Sequence, residues 1–184
     1  MLILEAFFFA IPLYVSNSFA SLSMSIPKLK DWSTPIDLGK SINNKRILGD
    51  GKTFRGLTFG TFCAIIAGFL QYLFVKKSCI NFEYLISFNN ASLAFFLITS
   101  FLLGFGALVG DSIKSLIKRR VGIKRGRPWP PFDQLDFLVG SILFVSIYYF
   151  PGWKIILVLL IATPILHLLS NITAYLLNLK EVWW

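Results

Sequence analysis

Hydrophobic residues in this chain come in long unbroken blocks, not at the two-residue spacing of a half-buried strand. The runs LTFGTFCAIIAGFLQYLFV (57–75) and ASLAFFLITSFLLGFGALV (91–109) each hold 19 residues without a charge. That matches the ~20 residues a helix needs to cross a ~30 Å hydrocarbon core. The same reading predicts spans at 2–25, 137–151 and 153–177. The run FLVGSILFVSIYYF within the fourth is short, about 21 Å as a helix, so it is expected to begin near the interface. Pro151-Gly152 breaks the pattern, which makes 137–177 a helical hairpin. Pro164 should kink the fifth span or be absorbed by its neighbours. The expected fold class is an all-α integral membrane protein with five transmembrane helices, a single polytopic domain over residues 1–184.

Composition agrees. The chain is 55% hydrophobic, with 19 Phe and 5 Trp among 184 residues, and its mean hydropathy is +0.69. A soluble globular domain of this size needs more polar surface. Tyr148, Tyr149, Trp153, Trp183 and Trp184 fall near span ends, as interfacial aromatic belts do. The start MLILEAFFFAI has no basic segment, which argues against a cleaved signal peptide. Cys63 lies in an apolar run and Cys79 in a short connection, without metal-ligand spacing. No internal repeat divides the chain.

Charge adds orientation. Of 18 Lys and Arg residues, seven lie in 28–56 and seven in 110–136. Alternation of spans puts these two loops on one side, and the positive-inside rule makes that side cytoplasmic. The N-terminus is then outside and the C-terminus inside, in a multi-pass protein of the cell membrane. Asp31, Asp37, Asp50, Asp111, Asp133 and Asp136 fall on the same side as the cations. Topology requires only the cations, so the carboxylates point to a site facing the cytoplasm.

Within 111–120, Asp111, Lys114, Ser115 and Lys118 share one helical face while Ile113, Leu116 and Ile117 take the other. Such a face alone could belong to an interfacial helix touching anionic headgroups. After Arg127 the run Pro-Trp-Pro-Pro cannot continue a helix. Asp133 and Asp136 then stand about 60° apart on the first turn of the next span. One acid there is ordinary helix capping. Two acids on one side, with Asp111 returning to the same surface, suggest hard oxygen ligands for Mg2+. Carboxylates for a metal and cations for phosphate are what phosphoryl or nucleotidyl transfer requires.

The loop RILGDGKTFRG (46–56) repeats the theme. Gly49 and Gly51 allow close backbone approach to phosphates, and Lys52 and Arg55 can neutralise them. It lacks the spacing of a Walker loop. His167, the one histidine, is expected to be a packed or hydrogen-bonded residue of the fifth span, not a base, and no Cys/His cluster supports zinc. Asn17, flanked by Ser16 and Ser18 inside the first span, either makes a helix–helix hydrogen bond or lines a lipid-headgroup pocket.

The blocks YVSN (14–17), PIDLGK (35–40), RILGDGKTFRG, GDSIKSLIKRR (110–120) and PPFDQLDF (130–137) occur in an order that resembles the CDP-diacylglycerol synthase superfamily, and its archaeal branch in particular. Gln134 stands where the bacterial and eukaryotic signature has Arg, as in that branch. The resemblance implies cytidylyl transfer from CTP to the phosphate of 2,3-bis-O-geranylgeranylglycerol 1-phosphate, with Mg2+ as cofactor and pyrophosphate as by-product. It implies Asp111, Asp133 and Asp136 as metal ligands, and those three with Lys118 as catalytic residues. Arg46, Gly49, Asp50, Gly51, Lys52, Thr53, Arg55, Lys114, Ser115, Arg119 and Arg127 are then the nucleotide- and phosphate-binding set, and Asn17 meets the lipid. The implied partners are CTP, an isoprenoid ether lipid phosphate and the bilayer, with no nucleic acid and no inferable protein partner.

Four other readings compete, one of them a pure anionic-lipid-binding module in which the carboxylates are dispensable. A CTP-dependent lipid kinase would use the same loops but transfer the γ-phosphate. A CDP-alcohol phosphotransferase would need acids in 57–75 that the chain lacks. A small transporter would place its ionisable groups at mid-membrane, where only Asn17 and His167 are candidates.

Overall fold

A computed structural model describes residues 1–42, 45–78, 80–123 and 127–176. Cys79, Lys124, Arg125, Trp183 and Trp184 lie outside the described residues. The helices are α1 (Leu2–Leu22), α2 (Pro27–Lys30), α3 (Phe54–Lys77), α4 (Ile86–Asn89), α5 (Leu93–Arg120), α6 (Phe132–Val145) and α7 (Trp153–Leu176). A 3-10 turn at Ser23–Ser25 follows α1. Strands β1 (Ser41–Ile42) and β2 (Lys45–Arg46) form a two-residue antiparallel ribbon pairing Ser41 with Arg46.

Among the described residues, four helical stretches are long and apolar enough to cross a membrane: Leu2–Ser25, Phe54–Lys77, Leu93–Arg120 and Trp153–Thr173. The expected fourth span is different. Its helix begins at Phe132, ahead of the apolar run at 137 and with Asp133 and Asp136 in its first turns as expected, and stops at Val145 after 14 residues, about 21 Å and short of the ~30 Å core. The early start follows from Pro131, which fixes the backbone at the N-cap position. The early stop has a packing cause. Tyr148 and Tyr149 turn back on the Val145 carbonyl, and the Tyr149 ring packs edge-on or tilted against Phe9, Phe88 and Phe95. A straight helix would carry that ring away from the cluster. Pro12 and Pro164 both sit inside continuous helices.

α1, α3 and α5 pack together, α6 lies on α5, and α7 covers α1 and α6. Phe9, Leu13, Phe96, Leu103, Leu138 and Leu159 are fully buried among them. At one end the buried Glu5 carboxylate accepts hydrogen bonds from the backbone N–H groups of Glu83, Tyr84 and Leu85 at 2.8–3.0 Å, tying the 80–92 connection to α1. The segments 23–42, 45–53 and 127–131 gather at the opposite end.

The α5–α6 seam sets the geometry there. A Cβ on Gly106 would sit 2.7 Å from the Gly140 carbonyl oxygen, and one on Gly110 would strike the Asp136 carbonyl. Small residues let two backbones touch, and within a membrane such contact carries much of helix association. It brings the start of α6, with both its acids, against Asp111 on α5.

Candidate active site

The segment before α3 is organised by a carboxylate. Asp37 accepts hydrogen bonds from the backbone N–H groups of Gly39, Leu48 and Gly49 at 2.9–3.1 Å, and Arg46 Nη2 donates to it at 2.8 Å. Its side chain is 1% exposed. Burial would raise its pKa, but Arg46 and the three N–H groups outweigh that and hold the carboxyl well below the usual carboxylate range. Gly49 adopts φ +89°, a left-handed conformation that favours glycine. Arg46 also pairs with Asp50 at 2.8 Å, so both its arms serve the loop. Arg120 pins the ribbon to α5 by donating to the Ile42 carbonyl at 2.9 Å.

Thr53 is the N-cap of α3, accepting from the Gly56 N–H at 3.2 Å. Arg55, expected to bind phosphate, is buried and turned to the protein. Its guanidinium donates to Ser23 Oγ and to the carbonyls of Leu29 and Lys30 at 3.1–3.2 Å, closing the end of α2.

At the seam three carboxylates and three ammonium groups alternate. Lys52 pairs with Asp111. Lys114 Nζ lies 3.2 Å from Asp111, 3.0 Å from Asp133 and 2.8 Å from Asp136. Lys118 donates to both Asp133 oxygens at 3.0 Å and to the Arg127 carbonyl at 2.6 Å. Asp133 also accepts from the Trp129 N–H at 2.6 Å, holding the proline-rich loop against α6. Asp136 Oδ2 is shielded from water, and its contact with Lys114 is an ion pair without an aligned hydrogen bond. Burial, then the neighbouring Asp111, pushes the Asp136 carboxyl up to about 6 against the pull of Lys114.

The amphipathic reading of α5 agrees with this packing: Asp111, Lys114, Ser115 and Lys118 face the cluster while Ile113, Leu116 and Ile117 are exposed. The three acids meet around one cation, the Lys114 ammonium. Among the described residues, no three His, Cys, Asp or Glu side chains stand close enough to hold a metal as placed. The donor set is nonetheless all hard oxygen directed at a positive charge, and in kind it fits Mg2+.

Two cavities meet at Asp50, Gly51 and Lys52. One, of about 110 Å³, reaches from those residues, Thr53 and Arg55 to Asn17, Asp111 and Ser112. The other, of about 170 Å³, is walled by Leu48, Gly49, Lys114, Ser115, Lys118 and Arg119. Asn17 and Ser16 divide the two roles weighed for this segment. Ser16 makes the interhelical bond, donating to the Gly104 carbonyl at 2.9 Å, and Asn17 faces the cavity. A third cavity of about 260 Å³ lies beyond Lys118, with Arg127 and Asp133 on one wall and His167 and Asn171 of α7 on another.

Two features escaped the sequence reading. Asp37 was counted only as a charge, although PIDLGK places it two residues before a glycine in a loop with more glycines to follow, the setting of an Asx turn. The second is Asn171, which lines the third cavity one turn from His167; their 3.3 Å contact agrees with His167 as a hydrogen-bonded residue of its span.

The model of the CarS-like family, described as CDP-archaeol synthase, matches residues 1–184. A CDP-archaeol synthase of Archaeoglobus fulgidus is 43% identical, covering 100% of this chain and 98% of that protein. Those of Methanococcus vannielii and Methanocaldococcus jannaschii are 42% and 37% identical over 100% of this chain, covering 97% and 98% of their own lengths. A solved structure, described as an intramembrane enzyme for archaeal membrane lipid biosynthesis, aligns with a TM-score of 0.73 at 31% identity, covering 92% of this chain and 94% of that one. With relatives matched from end to end, and a helical membrane fold that carries charged cavities at one end, the chain belongs to the CarS-like CDP-archaeol synthase family and is a CTP-dependent nucleotidyltransferase of membrane lipid synthesis.

Proposed function

We propose that this protein transfers the cytidylyl group of CTP to the phosphate of 2,3-bis-O-geranylgeranylglycerol 1-phosphate, in a Mg2+-dependent reaction at the cytoplasmic face of the cell membrane. The observation that carries this reading is the alternating ladder Lys52–Asp111–Lys114–Asp136/Asp133–Lys118 at the edge of the glycine-loop cavities. It combines a carboxylate set for a metal with ammonium groups for phosphates, and it needs no protein nucleophile. The acceptor phosphate oxygen forms a bond to the α-phosphorus of CTP. The bond from that phosphorus to the α,β-bridging oxygen breaks, and pyrophosphate leaves with the electron pair. Charge neutralisation and in-line alignment are then most of the catalytic task.

Asp111, Asp133 and Asp136 would hold the metal, which supplies positive charge to the transferring phosphoryl oxygens. Lys52, Lys114 and Lys118 exchange their carboxylate partners for phosphate oxygens as substrates bind. Ser115 and Arg119, on the wall of the glycine-loop cavity, are placed to donate to a triphosphate, and the Gly49–Gly51 backbone gives it close approach. Asp37, Arg46, Thr53 and Arg55 keep that loop in shape. The whole chain acts as one domain, with its N-terminus outside and its C-terminus in the cytoplasm, as the cation distribution favours.

The test uses purified protein in liposomes with Mg2+, the lipid phosphate and CTP labelled in the α- or the γ-phosphate. The expected result is α label in the lipid with pyrophosphate released. Label from the γ position would make the protein a lipid kinase, and no label in lipid would remove the assignment of the acceptor.

A further inference from the structure

The third cavity has no occupant in the reading above. Lys118 lines it and the glycine-loop cavity alike, so it touches the reaction cluster directly. Its far wall is α7, where His167 and Asn171 stand one turn apart with Asn171 Nδ2 3.3 Å from His167 Nδ1. Polar residues on a helix that spans a membrane are expensive and are kept facing protein or a polar cavity. One turn deeper α7 is tied to α1. Thr163 is buried and 2.7 Å from the Tyr14 hydroxyl, closing α7 onto α1.

The flank of α7 around the cavity is apolar and open. Ile165, Leu166, Leu168 and Leu169 are 37–54% exposed, and the apolar stretch of α7 is 28% buried against 39–44% in the other three long helices. Leu168 lines the cavity itself, so Lys118 and Arg127 at its head adjoin an exposed apolar flank of α7. An amphiphile with an anionic head matches both features. A nucleotide matches only the first.

We infer that the lipid phosphate docks from the α7 side, its phosphate against Lys118 and Arg127, its glycerol ether region beside His167 and Asn171, and its chains along α7. The proposal rests on the lipid-phosphate acceptor proposed above. It puts the two substrates on opposite sides of Lys118, with the nucleotide on the side of Asn17 and the glycine loop. His167 and Asn171 are then specificity determinants for the acceptor.

The test measures KM for each substrate separately with the full chain in liposomes, with Mg2+, CTP and 2,3-bis-O-geranylgeranylglycerol 1-phosphate. His167→Ala and Asn171→Leu are each expected to raise the lipid KM about tenfold, the scale of one lost hydrogen bond to a charged or polar head, and the cavity-narrowing Leu168→Trp is expected to raise it by steric exclusion. CTP affinity, measured by calorimetry without lipid, is expected to stay unchanged and also reports that each variant is folded. Weaker CTP binding with an unchanged lipid KM would overturn the proposal and make this the nucleoside pocket. Unchanged kinetics in all three would overturn it as well. A turnover-independent arm uses the same lipid phosphate with a diazirine in its tail. Crosslinks on α7 competed by unmodified lipid phosphate support the docking site, and crosslinks confined to α1 and α3 refute it. This arm stands even if α-labelled CTP gives no labelled lipid, the result that would sink the assigned reaction instead.

Discussion

Gly140→Ala tests whether helix contact, more than the acids themselves, positions this site. A Cβ at Gly140 would lie 2.7 Å from the Gly110 Cα and collide with the Gly106 carbonyl. Carbon atoms in contact rest at ~3.5–4.0 Å, so α6 must draw back from α5 by about 1 Å. Asp136 precedes Gly140 by one helical turn, and its own carbonyl rests on Gly110, so it moves with the seam. Its 2.8 Å ion pair with Lys114, and the 3.0 Å pair of Asp133, would lengthen towards solvent-separated distances. The stability cost is that of overpacking, ~1–3 kcal/mol. The larger effect is on chemistry, because a 1 Å misplacement of reacting groups costs about a hundredfold in rate. Turnover of α-labelled CTP into lipid, with thermal unfolding measured in parallel, separates the two. Expected is a fold that survives and a kcat about a hundredfold lower. A folded variant with kcat within about twofold of wild type, under ~0.5 kcal/mol in barrier, would refute the claim that the seam sets the site.

Asp133→Asn and Asp136→Asn are each expected to lose most turnover while still folding, with a lower unfolding temperature, most of all for Asp133, whose charge holds Lys118 and the Trp129 N–H; near wild-type rates in both would remove the metal-ligand assignment. Asp37→Asn should cost on the order of 2 kcal/mol, since it trades a charged acceptor of four donors for a neutral one. Because the folded-state pKa of Asp37 is depressed, its stabilisation is complete above the unfolded-state value of ~3.9 and is lost as pH falls below it. The variant should therefore show a flatter unfolding profile between neutral and acid pH, and an unchanged slope would dismiss that role. Arg55→Lys keeps the charge but loses the fork that closes α2. It should lower the unfolding temperature with CTP affinity altered less than about threefold, whereas a large CTP-specific loss would return Arg55 to the phosphate-binding set.

The sequence revealed what depends on composition and period. Unbroken apolar runs marked α3 and α5, and helical spacing placed Asp111, Lys114, Ser115 and Lys118 on one face. What depends on contacts between distant segments was not legible. Nothing in FLVGSILFVSIYYF announces that the helix stops at Val145, because the cause is Tyr149 joining rings from Phe9, Phe88 and Phe95. Arg55 and Lys52 have the same charge and lie three apart, and only the fold turns one to the α2 carbonyls and the other to Asp111. Asn17 and Ser16 were likewise indistinguishable until helix rotation gave one to the cavity and the other to the Gly104 carbonyl.

The site's charge balance bears on how it can bind a triphosphate, a metal and a second phosphate in one place. Three ammonium groups and three carboxylates at the seam neutralise one another without ligands. A largely buried cluster of one sign would repel itself strongly at low effective dielectric. Paired, the same groups lie ready, and binding becomes an exchange of partners: carboxylates pass from lysine to metal as lysines pass from carboxylate to phosphate. Neither half proceeds well alone, since a phosphate that takes Lys114 leaves up to three acids facing one another, and a metal that takes the acids leaves lysines uncompensated. Affinity for CTP and for Mg2+ should therefore be mutually dependent, a coupling that would shrink in Lys114→Met because the exchanged cation is gone.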